Sequence, residues 1–580
     1  MTTVVQVPDV RTPPPPPSRD VRRPPTVVLL AAVAVVVLRL PFVSGWLGKD
    51  EAGFLTVAQQ WRAGGSSLYG NYWVDRPPLL ITIFRVAAAL GGTVPLRLIG
   101  IGAAVVAVLA IAHAAHTLGG RRGASWAAVT AAAFLVSPQA GASEVNGELL
   151  AAPFVAIGIA ASLAMLATAS ARRALSASVP AGAAALLAVL VKQNMLDVFV
   201  FTGVLLLLRI RGLGAARIGV VSAGFLGGAV TAGLVMAVWT RAQGTSLSGV
   251  WFAMYRFRVE ADAVMTADRN PATELRSQVL LQNAVGSGMV LVAVLLLATL
   301  VRLVRARAEH AADPASGLAR AVPFALVATL GYDLTSIYLG KSYWIHYLVQ
   351  LAVPLALSAG VAVAHRPRIS RLVVVAVAVA AAWAVVPAAL HPGSPGGNRL
   401  GAAIAAVARP GDTLVTVWGH ADVTHASGLT SPYPYLWSLP AETLDPRVTL
   451  LTATLTGSHA PTWFVSWSGT GRPGVDTSAL KSALHHDYHR VAEWSGHVVY
   501  LHDGLQRPKL PGSSGSPGGR IHPRPGDQDR IGPPAVPQSQ HGTQSAQPGG
   551  MQFDDGVHPT GPSGRHRRCR EMADNVRKFG

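Results

Sequence analysis

Residues 45–80 read GWLGKDEAGFLTVAQQWRAGGSSLYGNYWVDRPPLL and follow directly on the first long apolar run of the chain. Adjacent carboxylates, Asp50 and Glu51, stand a few residues beyond the end of that run. An amphipathic segment comes next (Phe54, Leu55, Val57, Ala58, Trp61), then the aromatic residues Tyr69, Tyr72 and Trp73, the pair Asp75-Arg76, and Pro77-Pro78, which is expected to stop a helix. A connection that merely joins two membrane spans needs little of this chemistry. The stretch predicts an active-site loop at a membrane surface, with the rest of the chain as its frame.

Half of the 580 residues are hydrophobic and 13% are charged, and the mean hydropathy is +0.38. That is too apolar for one soluble domain and fits a polytopic α-helical membrane protein. The formal charge of +19 would suit a nucleic-acid binder. Most arginines, however, fall in short clusters between apolar runs, as orientation signals do, so no nucleic-acid partner is expected. One cysteine, Cys569, excludes an intramolecular disulfide and a cysteine metal cage. Arg11, Arg19, Arg22 and Arg23 precede the first run and no small-residue cleavage site follows it, so the run reads as a retained span.

A span needs about 20 apolar residues to cross about 30 Å of hydrocarbon. Such runs lie near 27–46, 95–118, 124–138, 149–169, 179–192, 194–208, 218–239, 283–304, 321–339, 347–364 and 372–390, which predicts about 11 transmembrane helices. Residues 81–90 are apolar but short and interrupted by Arg85, and read as an interfacial helix. Arg121-Arg122, Arg172-Arg173, Arg209/Arg211/Arg217, Arg302/Arg305/Arg307 and Arg366/Arg368/Arg371 all fall on one side if the first span runs outward. By the positive-inside rule that side is the cytoplasm. The loops 45–94, 139–148 and 240–282, and everything after about 391, are then expected outside a plasma membrane that the chain crosses many times.

The organisation expected is a disordered cytoplasmic N-terminus (1–26, with five consecutive prolines), a transmembrane catalytic domain (27–390), a small extracytoplasmic α/β domain (391–504) and a disordered tail (505–580). In the third of these, TLVTVWG, TWFVSWS and HVVYLH read as strands, and 478–488 reads as a helix before the last strand.

With this topology the acids sort by side. Asp50, Glu51, Asp75, Glu144, Glu148, Glu260, Asp262, Asp268 and Glu274 fall in outer loops or at outer helix ends, Asp197 and Asp333 just inside the membrane on that side, and only Glu309 and Asp313 in the cytoplasm. Exclusion of arginine from outer loops explains the trend. It does not explain an adjacent pair at a helix end, nor ionisable groups within spans, each costing roughly 2.5–3.5 kcal/mol at mid-helix. The membrane portion has three lysines, Lys49, Lys192 and Lys341, each at a predicted outer boundary. Snorkelling accounts for any one of them. Together, beside Asp50, Gln193-Asn194 and Tyr343/His346/Tyr347, they point to a phosphate site, because an ammonium is a compact phosphate ligand. His420-x-Asp422-x-x-His425 and His485-His486-x-x-His489 contain zinc-ligand residue types but no clear fourth ligand. No metal ligand or cofactor is assigned, and a divalent metal is left open. No nucleotide-binding fingerprint is present.

The Asp50-Glu51 pair after the first span, Pro77-Pro78 after an aromatic loop and Arg97 opening the second span resemble the C-type membrane glycosyltransferases, in particular the protein O-mannosyltransferase and lipid A aminoarabinose-transferase group. VLVKQNML (189–196) resembles that group's lysine-containing segment, and SYWIHYLVQLAVPLAL (342–357) its late tyrosine-and-proline helix. VWGHADVTHASG followed by PTWFVSW resembles the extracytoplasmic domain of bacterial members. The resemblance covers roughly 27–503. The chain departs from it by offering Glu144 and Glu148 where the family often has Asp, and His346-Tyr347 where it often has Arg-Tyr.

The resemblance implies a C-type glycosyltransferase fold that moves a sugar from a polyprenyl-phosphate donor to a glycan, lipid or protein acceptor outside the cell. Asp50 would be the catalytic base, as the first acid of the pair is in the family, and Glu51 would orient the acceptor. Glu144 or Glu148 would serve the acceptor or act as second acid. Lys192, Lys341, His346, Tyr347, Arg256 and Arg258 would face the donor phosphate, with Arg269 as a further competitor, and Asp75 and Arg76 would support the loop. The alternatives are a multi-spanning transporter or flippase, which polar groups within spans would also suit, and a non-catalytic member whose outer domain binds glycan.

Overall fold

Apolar runs separated by basic turns fold as helices. They are α1 (Thr26–Arg39), α2 (Lys49–Gln60), α3 (Pro78–Ala89), α4 (Thr93–Val136), α5 (Gly147–Ala167), α6 (Ala171–Val191), α7 (Asp197–Leu213) and α8 (Ala215–Ala242). The chain continues through α9 (Leu247–Trp251), a π-turn (Phe252–Arg256), α10 (Phe257–Ala267), α11 (Pro271–Gly286), α12 (Met289–Ala306), α13 (Pro314–Leu339), a 3-10 turn (Ile345–Leu351), α14 (Ala352–His365) and α15 (Pro367–Leu390). The computed structural model describes residues 24–61, 67–267, 271–306, 314–390, 396–467, 469–471 and 475–513. All belong to the first of two units, Met1–Pro523. The expectations for 1–23 and 514–580, Cys569, Glu309, Asp313, Asp268 and Arg269 lie outside the described residues.

Among the described residues seven helices are long and apolar enough to cross a membrane, or eight if the pair Ala272–Gly286 and Met289–Arg305, bent by 66°, forms one span. The count of eleven is not confirmed. α4 holds two of the predicted runs in 44 residues, broken where Gly119 and Gly120 leave helical geometry. α1 and α7 are short, with 14 and 17 residues. The lipid-facing character is plain on α8 and α15, where Leu226, Val230, Leu234, Val238, Leu372, Val379, Trp383 and Leu390 are exposed.

Small residues let these helices meet closely, as packing in lipid requires. A Cβ at Gly182 of α6 would lie 1.7 Å from the Phe225 carbonyl oxygen of α8, and one at Gly228 would lie 1.9 Å from that of Val179. The basic turns gather at one end of the bundle. Arg217 donates to the Thr168 carbonyl, and Arg302 donates to that of His365 at 3.0 Å.

Two local expectations change. Pro77-Pro78 opens a helix instead of stopping one, because Pro78 takes its first position, where a missing N–H costs nothing. The helix 81–90 therefore starts earlier, and one face of it is buried through Leu80, Ile81, Phe84 and Ala87.

Beyond α15 come α16 (Gly396–Ala405), β1 (Leu414–Val417), α17 (Ala421–Ser427), α18 (Ser438–Leu444), α19 (Thr449–Thr456), β2 (Trp463–Ser466), α20 (Ser478–Asp487), β3 (Tyr488–Trp494) and β4 (His497–His502). The sheet order is β1-β2-β4-β3. β1 pairs parallel with β2, and β4 pairs antiparallel with both β2 and β3. The three strand-like runs become strands. β3 is an addition, joined to β4 by the tight Ser495-Gly496 turn, where both residues have positive φ (48° and 83°).

Candidate active site

α5 and α6 are each 21 residues long and are joined by the short 168–170 turn. Equal lengths return the end of α6 to the start of α5, so Glu148, in the first turn of α5, meets Lys192, the residue that closes α6. Each charge suits its helix end, an anion at the N-terminus and a cation at the C-terminus. The two form an ion pair with Glu148 1% exposed. The Lys192 ammonium also lies 4.7 Å from the centre of the Tyr347 ring, and His346 Nε2 lies 3.9 Å from Glu148. Gly141 makes this approach feasible: its φ is +70°, and a Cβ there would stand 2.5 Å from His346 Cα.

The 192–196 turn is fastened from behind. The Asn194 amide donates to Ser336 Oγ (2.9 Å) and Gln350 Oε1 (3.0 Å), and Tyr332 donates to the Asn194 carbonyl (2.7 Å). Gln350 in turn donates to Asp333 at 2.7 Å, and the carboxyls of Asp333 and Asp197 share a hydrogen bond. The two acids that the sequence placed inside spans thus meet behind the lysine turn.

Asp75 and Arg76 are joined at 2.6 Å, and Arg258 pairs with Asp75 from α10. Burial alone would raise the Asp75 carboxyl, but Arg258 and Arg76 hold it below the ordinary carboxylate range. Burial alone would lower Arg76, yet Asp75, Asp50, Tyr347 and Glu148 together raise it. Arg76 therefore lies within electrostatic reach of the Asp50 carboxylate and of the Glu148–Lys192 pair. His346 likewise feels Glu148, Lys192, Asp50 and Arg76. Asp50, Glu148, Lys192, His346, Tyr347, Arg76, Asp75 and Arg258 belong to one cluster, drawn from six separate segments, at the bundle end away from the basic turns.

Other expected members lie elsewhere. Lys341 donates to Asp262 and to Thr266 Oγ1, which ties the 340–343 turn to α10. Arg256 is 68% exposed, faces Glu260 at 3.7 Å and covers the Phe252 ring. Two residues make the difference between Arg256 and Arg258, since they project from different faces of α10 and its preceding turn. Among the described residues no group of three or more His, Cys, Asp or Glu is placed to hold a metal ion. His420 stacks on Trp467 at 3.9 Å, His425 faces Thr56 at 3.2 Å, and His486 and His489 pair with Asp487 and Asp503.

The acid pair divides. Glu51, expected to orient an acceptor, is 1% exposed and turned into the protein. One oxygen accepts from the Gly48 N–H (2.9 Å) and Arg97 (2.8 Å), the other from the Val145 N–H (2.6 Å). It caps the start of α2 and binds that start to α4 and the 137–146 segment. Asp50, one residue earlier on the helix, faces the other way and is only partly buried. Its Oδ1 accepts from the indole N–H of Trp437 at 2.9 Å. Glu144 is open to solvent at its edge, yet its carboxyl is closely surrounded. Loss of water first, and then the neighbouring Glu51 charge, push it up to about 7. Lys49 lies nearby, where burial lowers it and Asp422, Asp50 and Glu144 oppose the shift.

Sequence alone does not point to Trp437, which is 387 positions from its partner. Nor does it give Arg97 a role, although a buried arginine at a span boundary requires an acid partner.

No family model matches the chain and no curated protein matches it. Among solved structures, ArnT from Cupriavidus metallidurans bound to undecaprenyl phosphate is similar at 16% identity over 82% of this chain and 97% of that one, with a TM-score of 0.43. The Archaeoglobus fulgidus oligosaccharyltransferase in the apo form is similar at 12% identity over 83% and 74%, with a TM-score of 0.49. The same organism's AglB in complex with an inhibitory peptide and a dolichol-phosphate gives 12% identity over the same shares, with a TM-score of 0.44. At these levels of identity and superposition the likeness assigns neither an activity nor a site residue.

Proposed function

We propose that the chain is a membrane glycosyltransferase that takes a sugar from a polyprenyl-phosphate donor and passes it to an acceptor hydroxyl on the extracytoplasmic face of the plasma membrane. The observation that carries this reading is the juxtaposition of a partly exposed carboxylate, Asp50, with the cations Arg76, Lys192 and Arg258 at the ends of lipid-facing helices. A donor of this kind keeps its tail in the bilayer and its phosphate at the boundary, where these groups are. The acceptor oxygen forms a bond to the anomeric carbon, the bond from that carbon to the phosphate oxygen breaks, and the electron pair leaves with the phosphate. Asp50 takes the acceptor proton as general base. Arg76, Lys192 and Arg258 meet the charge gathering on the leaving phosphate, with His346 and Tyr347 lining the same place. Each cation is already held by Asp75 or Glu148, so it is fixed in position before the donor arrives. Glu144 is the second acid within reach of Asp50 and is suited to hold an acceptor hydroxyl.

The transporter reading gains no support, because the charged cluster lies at one end of the bundle, whereas transporter sites lie near the bilayer midplane. Purified protein given labelled polyprenyl-phosphate sugars and membrane glycans is expected to transfer label. Movement of the lipid across vesicles with no transfer from any donor would favour a flippase instead.

The placement of the site outside the cytoplasm rests on the basic turns at the opposite end of the bundle. A reporter fused after Gly397 is expected to register outside the cytoplasm, and one inserted at 169–170 inside. A cytoplasmic signal from the Gly397 fusion would remove the topology on which this function depends.

A further inference from the structure

The α/β segment after α15 makes specific contacts with α2. Asn398 donates to the Leu47 carbonyl at 2.9 Å just before α2, and Thr56 meets His425 at 3.2 Å. The Ser431 N–H donates to Tyr72 Oη at 2.8 Å, and the Trp73 N–H to the Pro434 carbonyl at 3.0 Å. In the middle of this seam stands Trp437. Its ring packs on Phe54 with centroids 5.4 Å apart, and its approach to α2 depends on Gly53, where a Cβ would lie 2.3 Å from Trp437 Cζ2. Two contacts on one helix turn therefore fix the height and tilt of the indole, and its N–H reaches Asp50 Oδ1 at 2.9 Å. Among the described residues no donor meets Oδ2.

We infer that Trp437 is a positioning residue that holds Asp50 in the rotamer that aims Oδ2 at the acceptor hydroxyl, so that the α/β segment completes the site. The inference rests on Asp50 being the base. An aspartate at the first turn of a helix has several rotamers open to it, and α2 itself leaves this side chain unfastened because its cap is supplied by Glu51. One oxygen held by the indole leaves the other to take the proton. A general base acts only within hydrogen-bond reach of that proton, so loss of the indole N–H acts on the chemical step and leaves donor binding, which belongs to Arg76, Lys192 and Arg258, in place.

The test is Trp437→Phe in the full-length protein, which keeps an aromatic ring on the Phe54 side and removes the N–H together with the outer ring atoms that meet Gly53. A hydrogen bond to a charged group is worth enough that kcat is expected to fall by about 10- to 100-fold, with KM for the lipid donor unchanged and the protein still folding cooperatively in detergent. Gly53→Ala is the second variant: it keeps the N–H but pushes the ring away from α2, and the same kcat loss is expected. On an Asp50→Asn background, Trp437→Phe is expected to add little further loss, since both changes act on one contact. Wild-type kcat in Trp437→Phe, or a loss just as large on the Asp50→Asn background, overturns the inference. Full transfer by Asp50→Asn alone overturns the base assignment instead, so the two failures are distinguishable.

Discussion

Asp50→Asn is expected to lower transfer by about 10²- to 10⁴-fold, the range removed with a general base, while the protein remains folded and inserted. Asn has nearly the shape of Asp, and its Oδ1 can still accept the Trp437 N–H, so the seam with the α/β segment survives. Only the capacity to take a proton is lost. The competing account of Asp50 is that it caps α2, in which case Asn would serve about as well. The structure removes that account. The cap position is Gly48, and its N–H is satisfied by Glu51 at 2.9 Å. Asp50 in the second helical position adds a favourable charge to the helix N-terminus, worth typically 0.3–1 kcal/mol, far too little to explain a loss of that size through unfolding. Turnover with a verified donor, measured beside the melting temperature in detergent, decides it. Near-normal turnover would leave the base unidentified.

Helix content was legible in the sequence because a run of apolar residues between arginine turns has few other folds available in lipid. The strands of the α/β segment were legible for a similar reason, except β3. YHRVAEW alternates as a strand does, but its first residue continues the pattern of α20, and a helix reading absorbs it. The site was legible only where a residue's neighbours follow from local geometry. Glu148 and Lys192 come together because two helices of equal length are joined by a short turn. Lys341 has the same residue type and a similar boundary position, but its neighbours come from α10, and no pattern in the sequence announces that. The Asp50-Glu51 pair shows the same limit at finer scale. Adjacent residues on a helix point about 100° apart, so one acid of such a pair can turn towards the protein while the other faces out. Which one does so is set by Arg97, 46 positions away.

That pairing leads to the second large effect, on stability. Arg97→Leu is expected to destabilise the folded protein by about 3–5 kcal/mol, the usual cost of leaving one partner of a buried ion pair alone. Arg97 is 5% exposed and Glu51 1%, and besides pairing at 2.8 Å the guanidinium donates to the Ser143 carbonyl at 2.6 Å and that of Trp46 at 3.2 Å. Its loss strands a carboxylate and two carbonyls at the junction of α2, α4 and the 137–146 segment. Nearby Arg39 is anchored elsewhere, its Nη1 donating to the Leu135 and Ala142 carbonyls. Glu51→Gln is expected to cost less, because the amide oxygen still accepts a backbone N–H and keeps the cap in part. The double replacement Glu51→Leu with Arg97→Leu is expected to recover much of the stability, since a buried pair exchanged for apolar groups of similar volume is often nearly neutral. It is not expected to recover transfer: Leu cannot accept the Gly48 and Val145 N–H groups, so the first turn of α2, and Asp50 with it, loses its fixed place. Melting curves in detergent and transfer rates on the same three variants separate the two roles. A double variant that regains both would mean that Glu51 contributes charge balance alone, and an Arg97→Leu protein as stable as wild type would mean that Glu51 is held without its cation.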